Sequence, residues 1–186
     1  GIKALKQVAE VTKVTCGTVG FRLAPRLNAA GRLDDAALGV KLLLGAGEDP
    51  VVELANHLDR CNRERQQLEE QTLNEAIFAV EEGSAGKHSL VLAAEDWHPG
   101  VIGIVASRLV ERYYRPTVMI ALADGAGKGS ARSVHGFNLF AALGRAAHSL
   151  ETFGGHAAAA GLSIMADRVD EFRRDFERVA AEELNA

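Results

Sequence analysis

The sequence predicts an α/β fold in which a long connecting helix is followed by a small mixed-sheet α/β domain with helices on both faces. After Pro50, no glycine or proline interrupts the chain until Gly83, which indicates one long helix. Beyond that helix, short apolar runs typical of buried strands alternate with helical patterns. The turn residues Asp124 and Gly125 separate two of these strands, so neighbouring strands can pair antiparallel within a mixed sheet.

Residues 1–48 form the first predicted segment. It begins with a short helix and continues through residues 16–32, which are rich in glycine and arginine and are predicted to be irregular. Asp34 and Asp35 suit the start of a helix that runs to Leu44 and ends at Gly45.

The second predicted segment is the helix of residues 49–83. Asp49 is a suitable N-cap and Pro50 a suitable first helical residue, and about 33 residues would extend for roughly 50 Å. Apolar stripes mark both ends, while residues 59–67 are polar nearly all round. This pattern is typical of a helix that bridges two packed bodies. The alternative is a solvated face with ion pairs such as Arg65 with Glu69.

The third predicted segment covers residues 84–186 and contains the sheet. Its strands are expected at residues 89–94, 117–122, 128–133 and 161–164, and its helices at 100–113, 139–147 and 168–184.

Composition bounds the function. With 47% hydrophobic and 25% charged residues the chain is of the soluble globular class, and no apolar run is long enough to span a membrane. The net charge of −4 excludes a global basic field but permits a local basic site. Cys16 and Cys61 fit no metal-ligand spacing and predict reduced thiols in a cytoplasmic protein. Because the chain starts inside an apparent helix without methionine, we expect it to be part of something longer.

Four segments carry candidate chemistry, and the first is residues 22–32. Three arginines and an asparagine lie there among proline and glycine, and arginine is a planar, bidentate donor for phosphate oxygens. A surface loop with solvated arginines explains the spacing equally well.

The second segment, residues 97–108, joins the first strand to a helix whose N-terminus could hold an anion. His98 favours a ligand-facing position, whereas Gly103 favours close packing of the helix on the sheet.

The third segment is residues 127–133. In an extended strand Ser130 and Arg132 point to the same face, which places a hydroxyl beside a guanidinium. An exposed edge strand with alternating polar residues is the alternative.

The fourth segment, residues 153–156, ends in Gly154, Gly155 and His156. Two glycines permit close backbone approach, and successive N–H groups in such a turn can form a concavity for an anion. The small residues 157–161 indicate that something packs closely behind this turn. A plain glycine turn beside a surface or core histidine is the alternative.

The remaining histidines and acidic residues suggest no catalytic metal centre. His57, His88 and His148 have no comparable context, and His135 is at most a neighbour of the strand site. Two-metal hydrolysis needs several carboxylates, often with histidines, that hold two ions about 4 Å apart. The nearest approximations are Asp34 with Asp35, and residues 95–96 with His98, and neither supplies a full ligand set.

Together these segments resemble the RecJ family of single-strand-specific exonucleases, within the DHH phosphoesterase superfamily. The match covers nearly the whole chain in order and lies in five motifs: residues 20–33, 61–65 with Glu69, 97–104, 128–133 and 153–156. The resemblance implies an N-terminal DHH domain that binds Mn²⁺ or Mg²⁺, a connecting helix and a DHH-associated domain, with the substrate strand entering between the two domains. This chain contains no Asp-His-His motif. The resemblance therefore implies that residues 1–48 are the C-terminal remnant of the DHH domain, 49–83 the connector and 84–186 the DHH-associated substrate-binding domain.

The resemblance also implies roles for individual residues. Ser130 and Arg132 would hold the 5′-end phosphate, and Gly154, Gly155 and His156 would steady the substrate phosphate across the cleft from the metals, with His156 as the catalytic candidate. The other candidate phosphate contacts are Arg26, Asn28 and Arg32 from the DHH side, together with Ser133 and His98. No metal ligand is expected in this chain.

The function that follows is the substrate-positioning part of a 5′→3′ single-stranded-DNA exonuclease, a hydrolase used in DNA repair and recombination. We expect this part alone to lack nuclease activity, because the metal-binding motifs are absent. Single-stranded DNA is the expected partner, a single-strand-binding protein or helicase is a further candidate, and no membrane is involved. The alternatives are a nano-oligonucleotide or nucleotide phosphoesterase of the same superfamily, and a non-catalytic nucleic-acid-binding module.

Overall fold

The structure is a computed structural model that describes residues 1–45, 49–83 and 86–184, apart from the side chain of residue 49. These residues pack as two compact units, Gly1–Leu68 and Glu69–Ala186. No helix within the described ranges is long and apolar enough to cross a membrane.

The first unit is helical. Its helices are α1 (Ile2–Val8), α2 (Cys16–Thr18), α3 (Ala24–Leu33), α4 (Ala37–Leu44) and the beginning of α5 (Asp49–Glu81), with a π-helical turn, Val19–Leu23, leading into α3. Leu5, Leu42 and Leu58 are fully buried in the core that these helices share.

The expectation of an irregular segment at residues 16–32 is wrong, because nearly all of it is helical. Thr15 caps α2, since its hydroxyl accepts the N–H of Thr18. Pro25 lies in the first turn of α3, where a missing N–H costs nothing. Glycine and proline residues therefore lie within the helical turns of this segment and do not break them.

The long helix is confirmed. Helix α5 has 33 residues, and its two apolar stripes enter different cores: Leu58 lies in the core of the first unit and Ala76 in a core of the second. Its middle is less solvated than the sequence suggests, because four polar residues are buried there: Asp59, Asn62, Glu69 and Thr72. Asp49 is the predicted N-cap of this helix, and its side chain lies outside the described part of the structure.

The second unit contains a five-stranded mixed sheet in the order β1-β2-β3-β5-β4. Its strands are β1 (Leu90–Ala94), β2 (Thr117–Ala123), β3 (Ala126–Arg132), β4 (Thr152–Gly155) and β5 (Ala159–Met165). The pair β1–β2 is parallel and the other pairs are antiparallel. The predicted mixed sheet is therefore confirmed.

Helices cover both faces of this sheet, as predicted. Alternate strand residues point to opposite faces, so Met119 packs with α6 (Ile102–Tyr113) and the end of α5, whereas Val118 packs with α7 (Leu139–Arg145) and α8 (Val169–Leu184). We call these the α6 face and the α8 face. Phe172 and Phe176 of α8 are fully buried and stack with ring centroids 5.5 Å apart.

The expectation of a glycine turn at residues 153–156 is wrong in its detail. Gly154 and Gly155 belong to the edge strand β4, opposite Gly161 and Ala160 of β5. The connection to β5 begins one residue later, at His156. Small residues are needed here because a Cβ on Gly155 would lie 2.5 Å from the Cα of Ala160.

Candidate nucleic-acid interface

Ser130 and Arg132 form a side-chain pair on the α6 face of β3. They are two residues apart in one strand, and the Nη1 of Arg132 donates to the Oγ of Ser130 over 3.1 Å and to the carbonyl of Ala131 over 2.8 Å. The prediction that both side chains share one face is confirmed. The bonds hold a guanidinium and a hydroxyl next to each other, which is an arrangement suited to a phosphate group.

Helix α6 lies directly against this pair. Gly103 is buried, and a Cβ there would stand 2.8 Å from the Oγ of Ser130 and 2.9 Å from the Nη2 of Arg132. Close packing, the interpretation favoured for Gly103, is confirmed. Because glycine has no Cβ, Ser130 and Arg132 can occupy their observed positions. Gly103 therefore acts on the site through packing and not through a contact with a ligand.

Next to Ser130, the same face of the sheet continues over two residues that have no side chain. Ser130 is opposite Gly161 of β5, and Gly161 is opposite Gly154 of β4. Both glycines are exposed, and among the described residues no heavy atom lies within 4 Å of the Cβ that Gly154 lacks. We call Gly154 and Gly161 the glycine platform. It is a flat surface that a polymer backbone can approach closely.

His156 lies where β4 turns into β5. Its side chain is exposed, and its N–H donates to the carbonyl of Ala159 over 2.8 Å. Ala159 is opposite Arg132 in the β3–β5 pairing, so His156 belongs to the same end of the sheet as Arg132. The expected anion concavity does not use the amide of His156, because that amide closes the hairpin. The imidazole is the group that remains available to a ligand.

Ser133 stabilises the turn after β3 by hydrogen bonds. Its hydroxyl contacts the carbonyl oxygens of Val134 and Phe137, at 3.2 and 2.7 Å, and its N–H donates to the carbonyl of Ala158. These bonds direct the hydroxyl to the backbone and fix the end of β3 beside the β4–β5 connection.

His98 shapes the loop before α6. Its Nδ1 accepts the N–H of Gly100 over 3.0 Å, and its carbonyl accepts the N–H of Val101. An accepting Nδ1 places the ring proton of the neutral imidazole on Nε2. His98 is half-buried, and this geometry leaves Nε2 as its donor.

The three candidates on α3, in the first unit, divide into two groups. Asn28 and Arg32 are one helical turn apart and line a surface depression of about 650 Å³. The Nε of Arg26 instead donates to Asp59 over 2.8 Å, and the Arg26 side chain is only 15% exposed. The structure thus brings Asn28 and Arg32 together, and it gives Arg26 a partner on α5.

Sequence reasoning did not identify a cavity at the beginning of β3, the end of the strand away from Arg132. It has a volume of about 350 Å³, and Trp97, Pro99, Lys128 and Ser163 are among its lining residues. Lys128 of β3 and Ser163 of β5 are opposite each other, and each lies two residues along its strand from Ser130 and Gly161, respectively. The same two-residue spacing that identified Arg132 places Lys128 on this face.

Comparison with known proteins agrees with this architecture. The DHHA1 domain family matches residues 86–182. The single-stranded-DNA-specific exonuclease RecJ of Bacillus subtilis (strain 168) is 41% identical over 184 residues, which are 97% of this chain and 23% of that protein. The resemblance stated above is therefore confirmed.

Two solved structures are also similar over nearly the whole chain. RecJ of Thermus thermophilus in complex with Mg²⁺ is 36% identical with a TM-score of 0.84, covering 96% of this chain and 28% of that one. An exonuclease RecJ bound to manganese is 35% identical with a TM-score of 0.86, covering 97% of this chain and 45% of that one. The chain thus spans less than half the length of each of these relatives.

Proposed function

This chain belongs to the DHHA1 domain family, and on that premise we propose that it is the substrate-positioning part of a 5′→3′ single-stranded-DNA exonuclease that acts in DNA repair and recombination. The relatives that match nearly all of it are single-strand-specific exonucleases. The observation that carries the proposal is the bonded pair of Ser130 and Arg132 beside the glycine platform.

The chemistry of this face suits a terminal phosphate followed by a flexible strand. Arg132 supplies a planar guanidinium and Ser130 a hydroxyl, and together they can bind several oxygens of one phosphate. The glycine platform has no side chains to hold the sugar–phosphate backbone away from the sheet. His156 and Lys128, both exposed on or beside this face, add donors. Such contacts position a phosphodiester for in-line attack and offset charge in the transition state.

Metal ions would complete the reaction. The solved relatives are described as complexes with Mg²⁺ or with manganese. The carboxylates of Glu171 and Asp175 approach His148, but they also pair with Arg168 and Arg178, which leaves little negative charge for a hard cation. We propose that Mn²⁺ or Mg²⁺ is bound by another part of the full-length enzyme, and that this part alone does not cleave DNA.

We propose the division of the chain that the resemblance implies: residues 1–48 as the DHH-domain remnant, 49–83 as the connecting helix and 84–186 as the DHH-associated domain. Single-stranded DNA is the proposed substrate. A single-strand-binding protein or a helicase is the proposed macromolecular partner, since either would deliver single strands. The cytoplasm is the proposed location, because the substrate is found there in bacteria.

Replacing Arg132 in the full-length enzyme tests the proposal. We expect Arg132→Ala to lower the turnover of 5′-phosphorylated single strands by about 10- to 160-fold, because a charge-assisted hydrogen bond contributes about 1.5–3 kcal/mol. Arg145→Ala is the matched control: this exposed arginine of α7 pairs with Glu182 and Glu183. Normal cleavage by Arg132→Ala would refute the assigned role. A preference of the intact protein for oligomers of a few nucleotides would favour the nano-oligonucleotide phosphoesterase.

A further inference from the structure

We propose that Asp34, His57 and Cys61 form a binding site for a thiophilic divalent cation such as Zn²⁺ in the first unit. The three side chains come from two places, the end of α3 and the first half of α5. They are separate from the Ser130–Arg132 pair, and the proposed exonuclease function gives them no role.

The ligand atoms are already close to coordination distances. The Oδ2 of Asp34 lies 2.7 Å from the Nε2 of His57, and the Sγ of Cys61 lies 3.5 Å from the same nitrogen. All three ligand atoms lie within 4.8 Å of one another. With metal–ligand bonds of about 2.0–2.3 Å, tetrahedral ligands are roughly 3.3–3.8 Å apart, so small side-chain movements suffice.

The backbone holds the ligands in these positions. His57 and Cys61 are four residues apart on α5, so they project from the same face of a long helix. The Oδ1 of Asp34 accepts the N–H of Asp35 over 2.8 Å, which leaves Oδ2 directed at His57. Outer contacts of this kind orient ligands at metal sites. Cys61 is buried while the side chains of His57 and Asp34 are about 40% exposed, so an ion can reach the thiol from solvent.

The donor set selects the metal class. A thiolate, an imidazole and a carboxylate suit Zn²⁺ or Co²⁺, whereas Mg²⁺ and Mn²⁺ prefer oxygen ligands. Without a metal a cysteine thiol is largely protonated at neutral pH, whereas the thiolate is the form that binds the ion. Binding then replaces the S–H bond by an S–metal bond and releases one proton to solvent. The hydrogen bond between Asp34 and His57 opens, and the proton on the Nε2 of His57 moves through solvent to Nδ1, so that Nε2 and the Asp34 carboxylate can both bind the ion.

Cobalt(II) is the probe for the experiment, because a Co²⁺–thiolate bond gives a charge-transfer band in the near ultraviolet that oxygen and nitrogen ligands do not. The full-length protein is titrated with Co²⁺ in excess Mg²⁺, which occupies oxygen-rich sites. We expect one thiolate band per chain in the wild type, release of one proton per bound Co²⁺, and displacement of Co²⁺ by Zn²⁺. In Cys61→Ser the band should disappear.

Cys16→Ser is the matched control, because Cys16 is the exposed cysteine of the same unit. This substitution should leave the band unchanged. His57→Gln tests the site without touching the buried thiol, and it should weaken Co²⁺ binding by at least about tenfold while circular dichroism stays that of the wild type. The proposal is wrong if the wild type gives no thiolate band, if the band survives in Cys61→Ser, or if His57→Gln binds Co²⁺ as tightly as the wild type.

Discussion

Substituting Gly103 by alanine adds one methyl group at the point where α6 meets the Ser130–Arg132 pair. The new Cβ would stand 2.8 Å from the Oγ of Ser130 and 2.9 Å from the Nη2 of Arg132, both closer than van der Waals contact allows. Both contacted atoms are the ends of side chains, so they can move away from the methyl group. The substitution should therefore displace the proposed phosphate ligands and leave the backbone in place.

The expected effects on stability and on activity differ in size. Alanine is favoured over glycine in a helix by about 0.5–1 kcal/mol, whereas overpacking a well-packed site costs about 1–3 kcal/mol. These terms partly cancel, so the free energy of unfolding should fall by at most about 2.5 kcal/mol. Losing one charge-assisted contact to phosphate costs about 1.5–3 kcal/mol, which is a fall of roughly 10- to 160-fold in kcat/KM.

The assay compares full-length wild type and Gly103→Ala by single-turnover digestion of a 5′-phosphorylated single strand, with urea unfolding measured on the same preparations. Gly144→Ala is the matched control, because it adds a methyl group to a glycine of α7 whose Cβ would lie 3.9 Å from the Cζ of Phe153, an ordinary van der Waals contact. The reasoning is refuted if Gly103→Ala digests DNA like the wild type, or if its loss of activity is explained by unfolding alone.

Two further predictions concern stability. Gly155→Ala should destabilise the second unit by about 1–3 kcal/mol in urea, because Gly155 has φ 145° and its Cβ would lie 2.5 Å from the Ala159 carbonyl oxygen; a loss under about 0.5 kcal/mol would contradict this. Burial alone would raise the pKa of Glu177, but hydrogen bonds from Ser89 and His88 lower it overall. These hydrogen bonds stabilise the folded protein fully above pH 4.5, and this stabilisation is lost as the pH falls through the lowered pKa of Glu177. The decrease in Tm between pH 7 and about pH 3 should therefore be smaller for Glu177→Gln than for the wild type. Equal decreases would contradict this.

Most of the sheet could be predicted from the sequence, because β1 and β2 are apolar runs and the turn residues Asp124 and Gly125 separate β2 from β3. Strand β4 could not, since Thr152–Gly155 has four residues and two are glycines, which have a low strand propensity. Pairing with β5 overrides that propensity, and the small residues of β5 permit the close contact. The small residues 157–161 thus indicated the close packing that Gly155 makes against Ala160, but not the strand β4 that uses it.

The sequence predicted the neighbouring residues of a site only where those residues are a few positions apart in one element. Ser130 and Arg132 are two residues apart in one strand, so the period of a strand places them together. The cluster of Asp34, His57 and Cys61 joins residues from two helices, and only the four-residue spacing of His57 and Cys61 was visible in the sequence. That spacing is common on helices and indicates a site only when a third ligand is known.

The direct test of the central account is a valine on the glycine platform. Valine favours strands, and within the described part of the chain no heavy atom lies within 4 Å of the Cβ position of Gly154, so Gly154→Val should fold with at least wild-type stability. Its side chain would stand on the surface that we assign to the DNA backbone. The measurement is the affinity of the full-length protein for a 5′-phosphorylated single strand, with catalysis blocked by Ca²⁺. We expect at least about tenfold weaker binding, or roughly 1.4 kcal/mol, at unchanged stability. Wild-type affinity in Gly154→Val would contradict it.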